Sequence, residues 1–127
     1  MSASNSSRRF CFTVDLKDSP ELIERYERWH RRGGPPAAVT RSLREADIRE
    51  LEIWRCGPRL FMVLDAGPDY DPARKAARDA QDPDIQAWEQ LMWTFQQPLP
   101  WAAPGQKWVT SKRIYALSEQ PVAGERV

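Results

Sequence analysis

The 127-residue sequence predicts an α+β fold, one antiparallel sheet of four strands with helices on a single face. Three observations carry that expectation. Residues 9–16 and 48–56 alternate apolar with polar side chains, the period of a half-buried strand. Ser19-Pro20, Asp71-Pro72 and Asp82-Pro83 each set a capping side chain directly before a proline, the pairing that opens a helix. The elements then run strand, two helices, strand, strand, two helices, strand. That order is the split βαβ arrangement of the ferredoxin-like fold, βαββαβ with paired short helices in each crossover.

In residues 9–16 (RFCFTVDL), Phe10, Phe12, Val14 and Leu16 share one face. Ser19 then caps a helix whose first residue is Pro20, and Leu22, Tyr26 and Trp29 follow one side of it with Ile23 beside them. Gly33-Gly34-Pro35-Pro36 cannot continue that helix. Val39, Leu43 and Ala46, spaced by four and three, predict a second short helix through Ala46. Residues 48–56 (IRELEIWRC) set Leu51 and Ile53 against Glu50, Glu52 and Trp54. After the Gly57-Pro58 turn, residues 59–66 (RLFMVLDA) are more continuously apolar, so the two runs predict a hairpin whose second strand is the more central. Gly67-Pro68 closes it. An alanine-rich helix is expected over residues 73–80 and another after Asp82-Pro83, where Ile85, Trp88, Met92 and Phe95 make an amphipathic stripe. Residues 96–106 hold three prolines and a glycine and predict a loop; residues 107–117 (KWVTSKRIYAL) predict the last strand. One domain over 9–117 is therefore expected, between a disordered tail at 1–8 and a frayed end at 118–127.

Composition removes several classes of function. Nineteen basic and eighteen acidic residues leave a net charge of +1, which gives no electrostatic case for nucleic acid or for a membrane surface. No apolar run approaches the ~20 residues that span a bilayer. The opening MSASNSSRR lacks the apolar core of a signal peptide. Cys11 and Cys56 make no disulfide framework, so a cytoplasmic protein with free thiols is expected. One histidine and two distant cysteines lack metal-ligand spacing. Six tryptophans are unusual, and that many flat apolar rings suit a sugar-stacking pocket as well as a core.

The only histidine, His30, follows Tyr26 by one turn at the end of the first helix. Residues four apart share a helix face, so phenol and imidazole project into the same space beside a loop. A histidine at a helix C-terminus is also favoured by the macrodipole alone. A sheet with helices on one face leaves its other, partly aromatic face bare. Face-to-face homodimerisation into a dimeric α+β barrel would cover it.

The pair Tyr26-x-x-x-His30, the helix run Asp84-Ile85-Gln86-x-Trp88-x-x-x-Met92 and the closing Arg113-Ile114-Tyr115-x-Leu117 resemble the L-rhamnose mutarotase family, over Phe10 to Leu117. These are small dimeric α+β proteins that interconvert the anomers of free 6-deoxyhexoses. The resemblance implies a cofactor-free aldose 1-epimerase with His30 as proton donor and with Tyr26 and Trp88 holding the sugar. Trp88 also fits the apolar stripe as a core residue. Where the rhamnose enzymes carry a second tyrosine and a second tryptophan, this chain has Leu51 and Glu89. Arg41-Ser42-Leu43, Gln97-Pro98-Leu99-Pro100-Trp101 and Gly105-Gln106-Lys107-Trp108 look more like a branch associated with L-fucose.

Mutarotation opens the pyranose ring, turns the aldehyde and closes the ring again. Imidazole, with an ordinary pKa near ~6.5, both gives and accepts protons at neutral pH. Glu89 or a water is the candidate for a second proton-transfer group, and Glu89 also counts with Tyr26 and Trp88 as substrate-binding. As a plain surface charge it would do neither. Two other readings use the same residues, a non-catalytic sugar-binding module and a cofactor-free monooxygenase built on the same barrel.

Overall fold

The computed structural model describes residues 8–124. The strands are β1 (Arg8–Leu16), β2 (Ile48–Cys56), β3 (Arg59–Ala66), β4 (Gln96–Gln97) and β5 (Val109–Thr110). The helices are α1 (Pro20–Trp29), α2 (Ala37–Glu45), α3 (Pro72–Asp79) and α4 (Pro83–Trp93), and a 3-10 turn follows at Leu117–Glu119. The expected element order is present. All pairings are antiparallel in the order β2-β3-β1-β4, with β5 also on β1. β3 therefore lies between β2 and β1, as its apolar sequence predicts. The disordered tail expected at 1–8 lies outside the described residues except for Arg8, which opens β1; of the frayed end at 118–127, residues 125–127 lie outside them.

Each predicted cap is made. Ser19 Oγ accepts from Leu22 N at 3.4 Å, and Asp71 Oδ1 from Ala73 N and Arg74 N at 3.1 and 3.2 Å. Asp82 Oδ1 accepts from Asp84 N at 2.9 Å. A cap of this kind contributes about 1 kcal/mol, which matters most for α3, a helix with no buried residue.

The register sets Phe10 opposite Leu64, Phe12 opposite Met62 and Val14 opposite Leu60 on the helix-covered face. Val14, Leu16 and Leu60 join Tyr26 of α1 and Met92 and Phe95 at the end of α4 in one buried cluster. Burying each aliphatic side chain contributes about 1.5–3 kcal/mol. The stripe of α4 behaves as its spacing predicts, with Ile85, Met92 and Phe95 buried and Trp88 half-buried.

The last strand differs from expectation. Only Val109–Thr110 pair with β1, followed by one bond from Ser111 N to the Cys11 carbonyl at 2.7 Å. Beyond that, Ile114 is 88% exposed, with Tyr115 and Leu117 also exposed. Apolar alternation specifies a strand only where a surface buries one side of it, and among the described residues nothing covers these three side chains. Residues 96–106, predicted as loop throughout, instead begin with β4, which pairs Gln96 with Leu16 and Gln97 with Asp15. The free edge of β1 is thus divided between two short segments.

Candidate active site

α1 ends where the sequence predicts. His30 is its C-cap, with its N–H donating to the Glu27 carbonyl at 3.0 Å. The chain then folds back sharply, with Gly33 at φ +80° and Gly34 N donating to the Arg31 carbonyl at 2.7 Å. A side chain at Gly34 would set its first carbon 2.2 Å from the Trp29 carbonyl oxygen, so only glycine closes this turn.

The imidazole lies back along the last turn of α1, with Nδ1 2.7 Å from the Tyr26 carbonyl oxygen. A carbonyl only accepts, so that bond places the proton on Nδ1 and leaves Nε2 as the bare acceptor of the neutral ring. The helix-end contact that the macrodipole favours is thus the contact that selects the tautomer. Burial pushes the His30 pKa below its ordinary value, against the opposing effect of the Tyr26 carbonyl. The resting side chain at pH 7 is a neutral base.

Tyr26 is 3% exposed. Burial pushes its phenol up to about 12, with the Gln96 hydrogen bond acting the other way. It is a neutral O–H group at any physiological pH. Its ring centroid lies 4.3 Å from that of His30. Trp88 of α4 meets His30 edge-on at 5.5 Å and Trp29 edge-on at 5.9 Å. One face of α1 and one of α4 therefore converge on the imidazole.

Tyr26, His30, Trp88 and Glu89 all line one cavity of about 420 Å³, within the range of small-ligand sites. Glu89 stands at its outer side, half exposed and ion-paired with Lys107 at 3.2 Å. Leu51 is in the same wall. A second hollow of about 340 Å³, lined by Ile53 and by the ion-paired Glu27 and Arg55, reaches Tyr26 and His30 from another side.

Sequence reasoning missed the polar part of this wall. Ser42 Oγ donates to Asp79 Oδ1 at 2.6 Å, Asp79 also pairs with Lys75, and buried Gln96 Nε2 donates to Tyr26 Oη at 3.4 Å. Lys75 and Asp79 are four apart on a helix, a spacing that ordinarily signals a surface pair. Among the described residues, no group of three or more His, Cys, Asp or Glu side chains converges as metal ligands.

A neutral base, a buried phenol and a half-buried indole around one cavity suit proton transfer on a small polar molecule with an apolar side. Residues 9–117 match the profile of the L-rhamnose mutarotase family. The chain belongs to the L-rhamnose mutarotase family. An L-fucose mutarotase of Xanthomonas campestris pv. campestris is 57% identical over 114 residues, covering 90% of this chain and 91% of its own. A Dictyostelium discoideum protein is 28% identical, covering 87% of this chain and 90% of its own. The crystal structure of an L-rhamnose mutarotase from Formosa agariphila superposes with a TM-score of 0.62 at 16% identity, over 87% of this chain and 99% of that one, which shows the shared ferredoxin-like fold. The chain is accordingly a sugar mutarotase, an isomerase.

Proposed function

We propose that this mutarotase interconverts the α and β anomers of L-fucose in preference to L-rhamnose, with His30 as the proton-transfer group and Tyr26, Trp88 and Glu89 holding the sugar. The observation that carries the reading is the imidazole itself, its Nδ1 held by the Tyr26 carbonyl and its ring lining the cavity with Trp88. Nε2 takes the proton of the anomeric hydroxyl as the C1–O5 bond breaks and the C1=O1 bond forms. The anomeric and ring oxygens are bonded to the same carbon, so the imidazolium thus formed donates its proton to O5. No proton is gained or lost overall. Rotation about C1–C2 and the reverse sequence give the other anomer. Trp88 offers an apolar ring to the C–H side of the sugar. Glu89, ion-paired with Lys107, would accept from a sugar hydroxyl at the rim, a reading its exposure and charge support.

L-Fucose and L-rhamnose differ at C2 and C4. The fucose assignment is supported by the 57% identity to the Xanthomonas L-fucose mutarotase and by Leu51 and Glu89, which line the cavity where the resemblance to the rhamnose enzymes implies two aromatic rings. NMR exchange spectroscopy across L-fucose, L-rhamnose, D-galactose and D-ribose should show L-fucose exchanging fastest. Equal or reversed rates for L-fucose and L-rhamnose would defeat the assignment.

The working form is proposed to be a cytoplasmic homodimer. Free Cys11 and Cys56 suit a reducing compartment. On the sheet face away from the helices, Trp54 is 63% exposed opposite half-buried Phe61, and Trp101, 62% exposed, stacks on Arg59 of β3. A second copy covering that face would also offer a surface to the exposed Ile114, Tyr115 and Leu117. Sedimentation should give twice 14.7 kDa at micromolar concentration, and a monomer there would overturn the proposal.

A further inference from the structure

Gln96 is 4% exposed, and β4 fixes its backbone opposite Leu16 at the end of β1. Its amide is only half used. Nε2 donates to Tyr26 Oη at 3.4 Å, whereas Oε1 is the one buried side-chain polar atom among the described residues without a hydrogen-bond partner. Buried acceptors are paired as a rule, because withdrawing one from water without a donor is unfavourable. Turning the amide round would give Oε1 the Tyr26 O–H but would leave Nε2 unpaired instead. Either way one end of Gln96 stays open, and Gln96, Tyr26 and His30 all line the 420 Å³ cavity.

With Nε2 toward the phenol, the role of Tyr26 follows. Its oxygen already accepts from Gln96, so its own O–H is free to donate. Gln96 and Tyr26 together hold one unpartnered acceptor and one free donor on neighbouring residues of the cavity wall. An ether or a carboxylate would use only the phenol, and an ammonium only the amide oxygen. An alcohol O–H uses both, since it donates and accepts through the same oxygen.

We propose that Gln96 and Tyr26 bind a single ring hydroxyl of the sugar, with Gln96 Oε1 accepting its proton and the Tyr26 phenol donating to its oxygen, and that this pair reads the configuration at C2 or C4. It rests on the mutarotase reading and adds the specificity element to it. A sugar with the opposite configuration leaves both protein groups unpaired in a buried place, which discriminates far more strongly than a shape difference does. The hydroxyl it reads is on a carbon whose own bonds to oxygen do not break, so the pair acts on recognition and His30 on the chemistry.

Gln96→Met keeps length and apolar volume but has only a weak thioether acceptor, and Gln96→Glu retains an acceptor oxygen. Gln96→Met should lower kcat/KM for L-fucose by about ten- to a hundredfold, with the loss in KM rather than kcat. It should also shrink the wild-type ratio of L-fucose to L-rhamnose exchange, and Gln96→Glu should restore part of both. Folded Gln96→Met protein with wild-type KM and sugar ratio would overturn the proposal, since a water or nothing would then serve Oε1. So would an equal fall in kcat for every sugar at unchanged KM, which would make Gln96 a support for Tyr26 alone. Direct calorimetric titration with L-fucose separates this from the underlying reading. If wild-type protein speeds no anomer exchange yet Gln96→Met still weakens L-fucose binding, the mutarotase reading fails and the hydroxyl site stands.

Discussion

His30→Asn should lower the rate of anomer exchange by about 10²–10⁴, or roughly 3–5 kcal/mol of barrier, while leaving fold and sugar binding in place. Asparagine keeps a short polar side chain at the C-cap of α1 but has no group that titrates near neutrality. The pH dependence gives the sign. The chemistry starts from neutral imidazole, and burial holds the His30 pKa below 6.5. Wild-type kcat/KM should therefore rise with pH through that lowered pKa and be flat at neutrality and above. The variant should show no such limb. The same shift couples to stability. The unfolded chain protonates this histidine near ~6.5 and the folded one only at lower pH, so its contribution is present above pH ~6.5 and is lost as pH falls toward the folded value. Exchange measured at saturating L-fucose keeps affinity out of the comparison. A folded His30→Asn protein with near-normal exchange would leave the imidazole as a helix-end residue only.

How far this was legible in the sequence depends on whether the information is local. Ser19, Asp71 and Asp82 announced their helices because a cap and a following proline act within one turn. β3 announced its central place because a strand flanked on both sides is apolar almost throughout. Tyr26 and His30 came together for the same local reason, being four apart on one helix. Trp88 showed only that it lay on the apolar stripe of α4, because its contact with His30 depends on how α4 packs against α1. Residues 107–117 had strand alternation but no strand beyond Val109–Thr110, since alternation cannot say whether a surface exists to cover one side. The polar wall was the least legible part. Lys75 and Asp79 had the spacing of a surface pair, and Gln96 stood at the head of a proline-rich run that read as loop. Its burial comes from a backbone pairing with Leu16, eighty residues earlier in the chain.

The second large effect belongs to Trp88. Its ring is half-buried, packs edge-on against both His30 and Trp29, and lines the cavity, so its removal acts on both binding and packing. Trp88→Ala should weaken L-fucose binding by about 1–3 kcal/mol, the range for loss of a central aromatic contact. Trp88→Phe should keep part of that affinity, since a smaller flat ring still offers an apolar face to the sugar. The melting temperature should fall in the alanine variant as well, because the indole packs against the cluster of Val14, Tyr26, Leu60, Met92 and Phe95. What separates the two roles is their ranking across variants. If the indole stacks on the sugar, affinity follows ring area, with tryptophan above phenylalanine and phenylalanine above alanine, even below the melting transition of all three proteins. If it serves only the core, folded protein of each variant binds L-fucose alike and only the melting temperatures differ. Calorimetric titration well below the lowest melting temperature distinguishes these outcomes, and equal affinities there would remove Trp88 from the sugar site.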